Sequence, residues 1–138
     1  MAPLSADYMA LLETALTRDF VPHLPPLQDQ TKPADQQAKK NLSRAFSAFA
    51  LHKLCEISPK DAAAAVVDDF DDFGIDAIYY QGSSETLFLV QGKLKASETF
   101  SQDEANAFCQ GARRLIKQDF TGFNGHVTNR QAEIEGAL

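Results

Sequence analysis

The feature that most constrains the fold is a pair of short apolar runs separated by a polar turn. Residues 75–80 and 86–90 are rich in β-branched and aromatic side chains, which favour strands. The five residues between them, Gln-Gly-Ser-Ser-Glu at 81–85, have the composition of a turn. The spacing predicts an antiparallel β-hairpin. Because both runs are apolar almost throughout, we expect helices to cover both faces of the hairpin.

Helical patterns lie on both sides of the predicted hairpin. Apolar residues recur at spacings of three and four, as on one face of an α-helix. Four prolines between residues 22 and 33 interrupt this pattern and predict a loop over 21–36. Helix-start signals precede two of the patterns, namely Ser58-Pro59 and the capping box Ser-Gln-Asp-Glu at 101–104. The predicted helices span residues 6–20, 37–57, 59–67, 101–118 and 127–137.

Composition narrows the class of protein. The chain has 138 residues, 44% of them apolar, which suits one α/β domain with a core. No apolar run approaches the ~20 residues of a membrane-spanning helix, and the N-terminus lacks the basic start of a secretory signal. We therefore expect a cytoplasmic protein that does not bind membranes. Cys55 and Cys109 lie in helical patterns and are interpreted as small buried hydrophobes in a reducing compartment.

The net charge of the chain argues against non-specific coating of nucleic acid. The formal net charge is −6. Basic residues nevertheless cluster at Lys39, Lys40 and Arg44, and again over 113–117. The simplest interpretation of each cluster is a solvated helix face. A site with metal-binding carboxylates would add negative charge of its own, so the net charge excludes only non-specific coating.

One end of the hairpin gathers side chains that can do chemistry. Gln91 and Lys93 point to the same face of their strand, because strand side chains alternate. Counting outward from the turn puts Asp76 beside Gln91. The simplest interpretation is an ion pair between Asp76 and Lys93 at the strand edge, which needs no function. However, Asp76 lies among apolar residues, where a carboxylate is costly to bury without a cation. We expect that cation to be a lysine or a divalent metal.

These residues resemble a known pattern. Asp-Phe-Gly-Ile-Asp-Ala at 72–77, a turn, and Gln-Gly-Lys at 91–93 are similar to the PD-(D/E)XK nuclease superfamily, in the variant where Gln replaces the second acid. Mrr-type restriction endonucleases carry a similar pattern. The closer resemblance, over residues 42–118, is to the N-terminal region of the AIPR proteins, a bacterial family named for abortive phage infection. A restriction-endonuclease-like core with added N-terminal helices is the fold that this implies.

The resemblance also implies an activity and a site. The activity is metal-dependent hydrolysis of nucleic-acid phosphodiesters in anti-phage defence. Asp76, Gln91 and Lys93 would be the catalytic residues. Asp76, Asp72 and the carbonyl of Gly92 would hold Mg²⁺ or Mn²⁺, which prefer oxygen ligands. Lys93 would orient the attacking water and help to deprotonate it.

Nucleic acid is the partner that the resemblance implies, with DNA favoured over RNA. The residues expected to contact it are Lys95, Arg113, Arg114 and Lys117.

The chain departs from the superfamily pattern in two ways. Many relatives supply a glutamate after a phenylalanine of the first core helix, whereas Ser47 follows Phe46 here. Asp72 is therefore the expected second acid, while Asp68, Asp69 and Asp71 are interpreted as solvated turn residues. Residues 119–138 also contain no convincing final strand.

We accordingly expect an N-terminal helix and proline-rich linker over 1–36 and a nuclease-like domain over 37–138, as the first part of a longer protein. A homodimer that pairs the open hairpin edge is a further expectation. Two alternatives stay open. One is a non-catalytic interaction or dimerisation module that keeps the nuclease fold. The other is an unrelated α/β domain in which Asp76 is incidental.

Overall fold

A β-hairpin forms the centre of the computed structural model, which describes residues 5–95 and 99–138. Strand β1 (Ala77–Gln81) pairs antiparallel with strand β2 (Thr86–Val90). Their register sets Ala77 opposite Val90 and Gln81 opposite Thr86, so residues 82–85 form the turn. The predicted hairpin is confirmed. Its first strand begins two residues later than expected, because the chain before it turns at Gly74, where φ is +78°.

Helices surround the hairpin, and most begin at a residue with a clear capping role. The Ser5 and Ser58 side chains accept hydrogen bonds from the first turns of their helices, and Ser101 forms the predicted capping box with Glu104. A short 3-10 helix spans Val21–His23 in the proline-rich segment. The α-helices are α1 (Ala6–Asp19), α2 (Ala34–Cys55), α3 (Pro59–Ala64), α4 (Gln102–Ile116), α5 (Gly125–Thr128) and α6 (Gln131–Ala137).

Two apolar cores lie on opposite sides of the hairpin. Ala77 and Val90 face the first core, which α1, α2 and α3 build around Leu16 and Leu51. Ile78 faces the second core, to which residues 67–78 and residues 115–134 both contribute. Members of the second core are Val67, Ile75, Ile78, Leu115, Phe123, Val127 and Ile134. The prediction that helices cover both faces is confirmed, and the described residues form a mixed α/β fold.

The segment after α3 pairs with the hairpin and does not continue the helix. The sequence predicts helix to residue 67, but α3 ends at Ala64. The Ile78 amide donates to the Ala65 carbonyl at 3.0 Å, and Val66 forms an isolated antiparallel bridge with Ala77. This segment, residues 65–67, lies along the edge of β1 that is opposite β2. Tertiary hydrogen bonds therefore override the helical propensity of the alanine run.

The bounds of two other predicted helices differ from those in the structure. Helix α2 begins at Ala34, three residues before the predicted start, directly after Pro33. The last predicted helix is two short helices, α5 and α6, separated at Asn129 and Arg130. In the described residues, no helix has both the length and the apolar character needed to cross a membrane.

The interpretation of Cys109 is wrong, whereas Cys55 is buried as expected. Cys109 is exposed because α4 is strongly amphipathic and turns a different face to the second core. That face carries Gly111 and Leu115, the two residues of α4 that are fully buried.

Candidate functional site

The acidic loop, defined as residues 68–76, leads from the segment after α3 into β1. Its end is a tight turn in which the Ile75 amide donates to the Asp72 carbonyl at 3.1 Å, and the Gly74 amide donates to the Asp72 side chain at 2.9 Å. A Cβ on Gly74 would lie 2.8 Å from the Phe108 nitrogen. Glycine is therefore required both by the positive φ and by the close approach to α4. The loop is held firmly against that helix.

Three carboxylates of the acidic loop converge. Oxygen atoms of Asp68, Asp72 and Asp76 all lie within 4.8 Å of one another. Asp76 is only 8% exposed, and its side chain accepts a hydrogen bond from the Gly92 amide at 2.7 Å. Its own main-chain carbonyl accepts from Val67 and Asp68. These bonds fix the Asp76 side chain between the acidic loop and the chain that leaves β2.

Burial raises the pKa values of all three carboxyls, and the charge of a neighbouring aspartate adds to the rise for Asp76 and Asp68. Burial is the main cause of the rise in the pKa of Asp76 to about 8, and the charge of Asp68 adds to it. The pKa of Asp68 is raised to about 7 by burial and then by the charge of Asp72. Burial also raises the pKa of Asp72. Without a bound cation, this cluster therefore favours holding protons near neutral pH.

The other wall of the site comes from the end of β2 and from α4. The Gln91 amide donates to the main-chain carbonyl of Glu104 at 3.2 Å. The Lys93 ammonium lies 3.7 Å from the Glu104 carboxylate. A hydrogen bond therefore holds Gln91 against the first turn of α4, and an ion pair brings Lys93 close to the same turn. Because 40% of the Lys93 side chain remains exposed, it can still reach a ligand from solvent.

The two walls enclose a pocket of about 300 Å³, the acidic pocket. Six of the nine residues predicted to serve the site line it. They are Asp72, Asp76, Gln91, Gly92, Lys93 and Lys95. Asp68, Ser43, Gly74, Leu94 and Glu104 complete the lining. The pocket thus combines hard oxygen ligands with two lysines and the side-chain amide of Gln91.

The three basic residues of α4 lie away from the acidic pocket. Arg114 packs its guanidinium over the ring of Phe73 at 4.5 Å and also over Phe123, and it donates to the Thr121 carbonyl. These contacts tie α4 to the acidic loop and to the segment that follows α4. Arg113 and Lys117 are exposed at the end of α4. None of the three lines the acidic pocket.

Two residues interpreted as solvated turn residues are not solvated. Asp68 is half-buried and joins the carboxylate cluster. Asp69 is 6% exposed, and its carboxylate accepts a hydrogen bond from the main-chain N–H of Gln28 at 2.9 Å. The Lys40 ammonium lies 3.0 Å from this carboxylate, and His126 Nε2 lies 3.2 Å from it. Only Asp71 is exposed as expected. Spacing along the chain did not separate these aspartates, because long-range packing decides which of them are buried.

Arg44 is buried, which corrects the expectation that its basic cluster lies on a solvated helix face. Its guanidinium donates to the carbonyls of Asp68 and Pro25 and to the side chain of Asn41. Arg44 thereby joins α2, the proline-rich segment and the acidic loop, and it brings positive charge near Asp68. Sequence reasoning placed it on a solvated helix because its neighbours in the chain are also basic.

Ser47 follows Phe46, at the position where the resemblance to PD-(D/E)XK nucleases led us to expect a glutamate. It is fully buried, and its hydroxyl has no hydrogen-bond partner among the described residues. A Cβ on Gly92 would lie 2.9 Å from that hydroxyl oxygen, so the helix and the chain after β2 are in close contact here. The acidic loop and Glu104 of α4 supply the carboxylates that line the pocket, and α2 supplies none.

Comparison with known proteins adds no assignment to this geometry. The chain matches no family model, no curated protein and no solved structure. The resemblance to PD-(D/E)XK nucleases and to AIPR proteins therefore stays a prediction from the motif residues at 72–77 and 91–93.

Proposed function

We propose that this chain is a metal-dependent endonuclease domain that hydrolyses phosphodiester bonds of nucleic acid. The supporting observation is the acidic pocket, in which three carboxylates, a glutamine and a lysine meet. The sequence resemblance further favours a restriction-endonuclease-like core and a role in bacterial anti-phage defence. Both belong to the proposal.

The donor set fits a hard divalent cation. Asp68, Asp72 and Asp76 offer carboxylate oxygens, the ligands that Mg²⁺ and Mn²⁺ prefer. The pKa values of Asp68 and Asp76 are raised first by burial and then by the charge of a neighbouring aspartate, and a bound cation would offset both costs. We expect Asp76 and Asp72 to hold the metal, with Asp68 as an added ligand and the Gly92 carbonyl beside them. Bound there, the metal would activate water and neutralise phosphate charge.

The other residues of the acidic pocket take positioning and charge-stabilising roles in this proposal. Lys93 would orient the attacking water and stabilise the negative charge that develops on the phosphate. Its ion pair with Glu104 would hold the ammonium at the pocket when no substrate is bound. Gln91, fixed by its bond to α4, would direct its neutral amide toward the metal or a water.

The decisive experiment is a cleavage assay on labelled nucleic acid with Mg²⁺ or Mn²⁺. Asp76→Ala and Lys93→Ala should each lose most of the activity, by roughly a hundredfold or more, because each removes charge stabilisation of the transition state. Asp35→Ala, which changes an exposed acid at the start of α2, is the matched control and should cleave like the wild type. Equal cleavage by wild type and both pocket variants would refute the proposal.

A non-catalytic interaction module is the second candidate, and two observations favour it. Lys93 is already paired with Glu104, and Ser47 stands where a catalytic glutamate is expected. In such a module the acidic pocket would have lost its metal. Isothermal titration calorimetry separates the candidates, since a nuclease site should bind Mn²⁺ or Mg²⁺ at millimolar concentrations or below. A titration without binding heat would favour the module.

A further inference from the structure

An exposed aromatic ring stands near the acidic pocket. Phe100 immediately precedes Ser101, the residue that caps α4, and its side chain is 52% exposed. The Lys95 ammonium lies 5.8 Å from the centre of the Phe100 ring, and Lys95 lines the acidic pocket. Phe100 belongs to neither apolar core, and its exposed half gains no burial energy. Ring and ammonium together form a surface that we call the Phe100–Lys95 platform.

The charge of the pocket dictates where a polyanion can approach. The lining holds the carboxyl groups of Asp68, Asp72, Asp76 and Glu104, whereas its cationic side chains are those of Lys93 and Lys95. Carboxyl groups do not attract phosphate unless a cation is bound between them, so a polyanion is drawn to the two lysines. The platform combines one of these lysines with an aromatic face. This combination of basic and aromatic groups is typical of surfaces that bind single strands.

We propose that the Phe100–Lys95 platform binds unpaired nucleotides, so that the substrate is single-stranded nucleic acid or a single-stranded end. The inference rests on the proposed nuclease function and names its class of substrate. Phe100 would stack on one base, and Lys95 would contact the phosphate next to it. The strand would then lead its backbone past Lys93 into the acidic pocket.

The chemistry of the platform excludes an intact duplex as the preferred partner. Each base of a duplex already stacks on its neighbours and pairs with its complement, so no base face is open to Phe100. Only an unpaired base can cover the ring. Because every base has such a face, stacking gives little sequence preference. The shared chemistry suits DNA and RNA alike, and the experiment must include both.

Binding is best measured separately from cleavage. Fluorescence anisotropy in Ca²⁺, without Mg²⁺ or Mn²⁺, would follow the full chain with labelled oligothymidylate, oligouridylate and a DNA duplex of equal length. We expect single strands to bind about tenfold or more tightly than the duplex. Comparison of oligothymidylate with oligouridylate then identifies whether the platform binds DNA or RNA more tightly.

Four variants test the two members of the platform. Phe100→Leu keeps an apolar side chain but removes the aromatic face, and should weaken single-strand binding about fivefold or more, whereas Phe100→Trp should retain it. Lys95→Ala should weaken binding and make its salt dependence shallower by about 0.7 per lost phosphate contact, whereas Lys95→Arg should not. The matched control is Phe70→Leu, which changes a phenylalanine of nearly equal exposure, 50%, that does not line the acidic pocket.

The outcomes separate this inference from the proposed function. If the wild type cleaves nucleic acid but Phe100→Leu binds single strands as tightly as the wild type, the platform is refuted and the nuclease stands. Preference for the duplex would also refute the platform. If single strands bind as expected but no cleavage is found with Mg²⁺ or Mn²⁺, the platform is supported and the nuclease is not. Equal losses in Phe100→Leu and Phe70→Leu would count against the platform.

Discussion

Asp76 shows how a single residue can link the acidic pocket to the stability of the chain. Its pKa in the folded protein, about 8, lies above the value of about 4 that an aspartate has in an unfolded chain. Between these values the folded state binds more protons than the unfolded state. The free energy of unfolding must therefore fall as the pH rises through this range, in the absence of a divalent cation.

This linkage gives a prediction for the metal-free protein. Urea denaturation in EDTA should show stability decreasing from about pH 5 to about pH 8, and Asp76→Asn should make the decrease smaller because its amide does not ionise. Some dependence should remain, since the pKa of Asp68 is also raised. Asp35→Asn is the exposed control and should parallel the wild type. Stability that rises with pH in EDTA would contradict the prediction.

The buried side chain of Ser47 gives a second prediction, which concerns the free energy of unfolding. Its buried hydroxyl has no partner among the described residues, and such a group costs about 1–3 kcal/mol. Ser47→Ala should therefore raise the free energy of unfolding by about 1 kcal/mol. Ser43→Ala, one turn earlier in α2, has the same gain in helix propensity without the buried hydroxyl. If Ser47→Ala is less stable than Ser43→Ala, the hydroxyl has a partner such as water.

Single residues of the pocket were only partly predictable. Asp76, Gln91 and Lys93 could be placed together because a hairpin has a simple register. Asp68 could not be separated from Asp69 and Asp71, since its burial depends on contacts with distant parts of the chain. No local pattern reports such contacts, and the same holds for buried Arg44.

At the scale of elements, α4 approaches the acidic loop so closely that only glycine fits at the contact. A Cβ on Gly111 would lie 2.5 Å from the Phe73 carbonyl oxygen. Gly111→Ala must push the helix or the loop away, and should destabilise the protein by about 1–3 kcal/mol. Thermal or urea unfolding measures this directly.

Gly136, another helical glycine, is the control for that experiment. A Cβ on Gly136, in α6, would meet no atom within 4 Å. Gly136→Ala should therefore stabilise the protein, by up to about 1 kcal/mol, through helix propensity alone. Opposite signs for the two substitutions are expected. A neutral Gly111→Ala would mean that α4 and the acidic loop are not in close contact.

Elements with strong periodicity were predicted well, and those set by tertiary contacts were not. The hairpin and helices α1, α2 and α4 follow from apolar spacing and caps that local sequence carries. Residues 65–67 leave the helical state because β1 offers them hydrogen bonds, which the alanine-rich sequence does not signal. Cys109 was predicted to be buried because apolar spacing shows that a helix has an apolar stripe but does not show how wide that stripe is.

For the whole molecule, metal binding should stabilise the fold, because the ligands are assembled only when the chain is folded. Mn²⁺ at about a hundredfold its dissociation constant should add about 2.7 kcal/mol, seen as a higher melting temperature that EDTA reverses. Asp72→Asn and Asp76→Asn should lose most of the increase. Asp61→Asn, an exposed acid in α3, is the control and should keep it. An equal increase in all four proteins would show that Mn²⁺ binds elsewhere.

The contacts along β1 determine how the sheet could grow. One edge of β1 pairs with β2, and the other is taken by residues 65–67 and by Glu133, whose carboxylate accepts from the Tyr80 amide. Among the described residues, no strand pairs with the second edge of β2. The sheet can therefore be extended in one direction only. A strand from a second copy or from another domain would join beside β2, on the edge that faces away from β1.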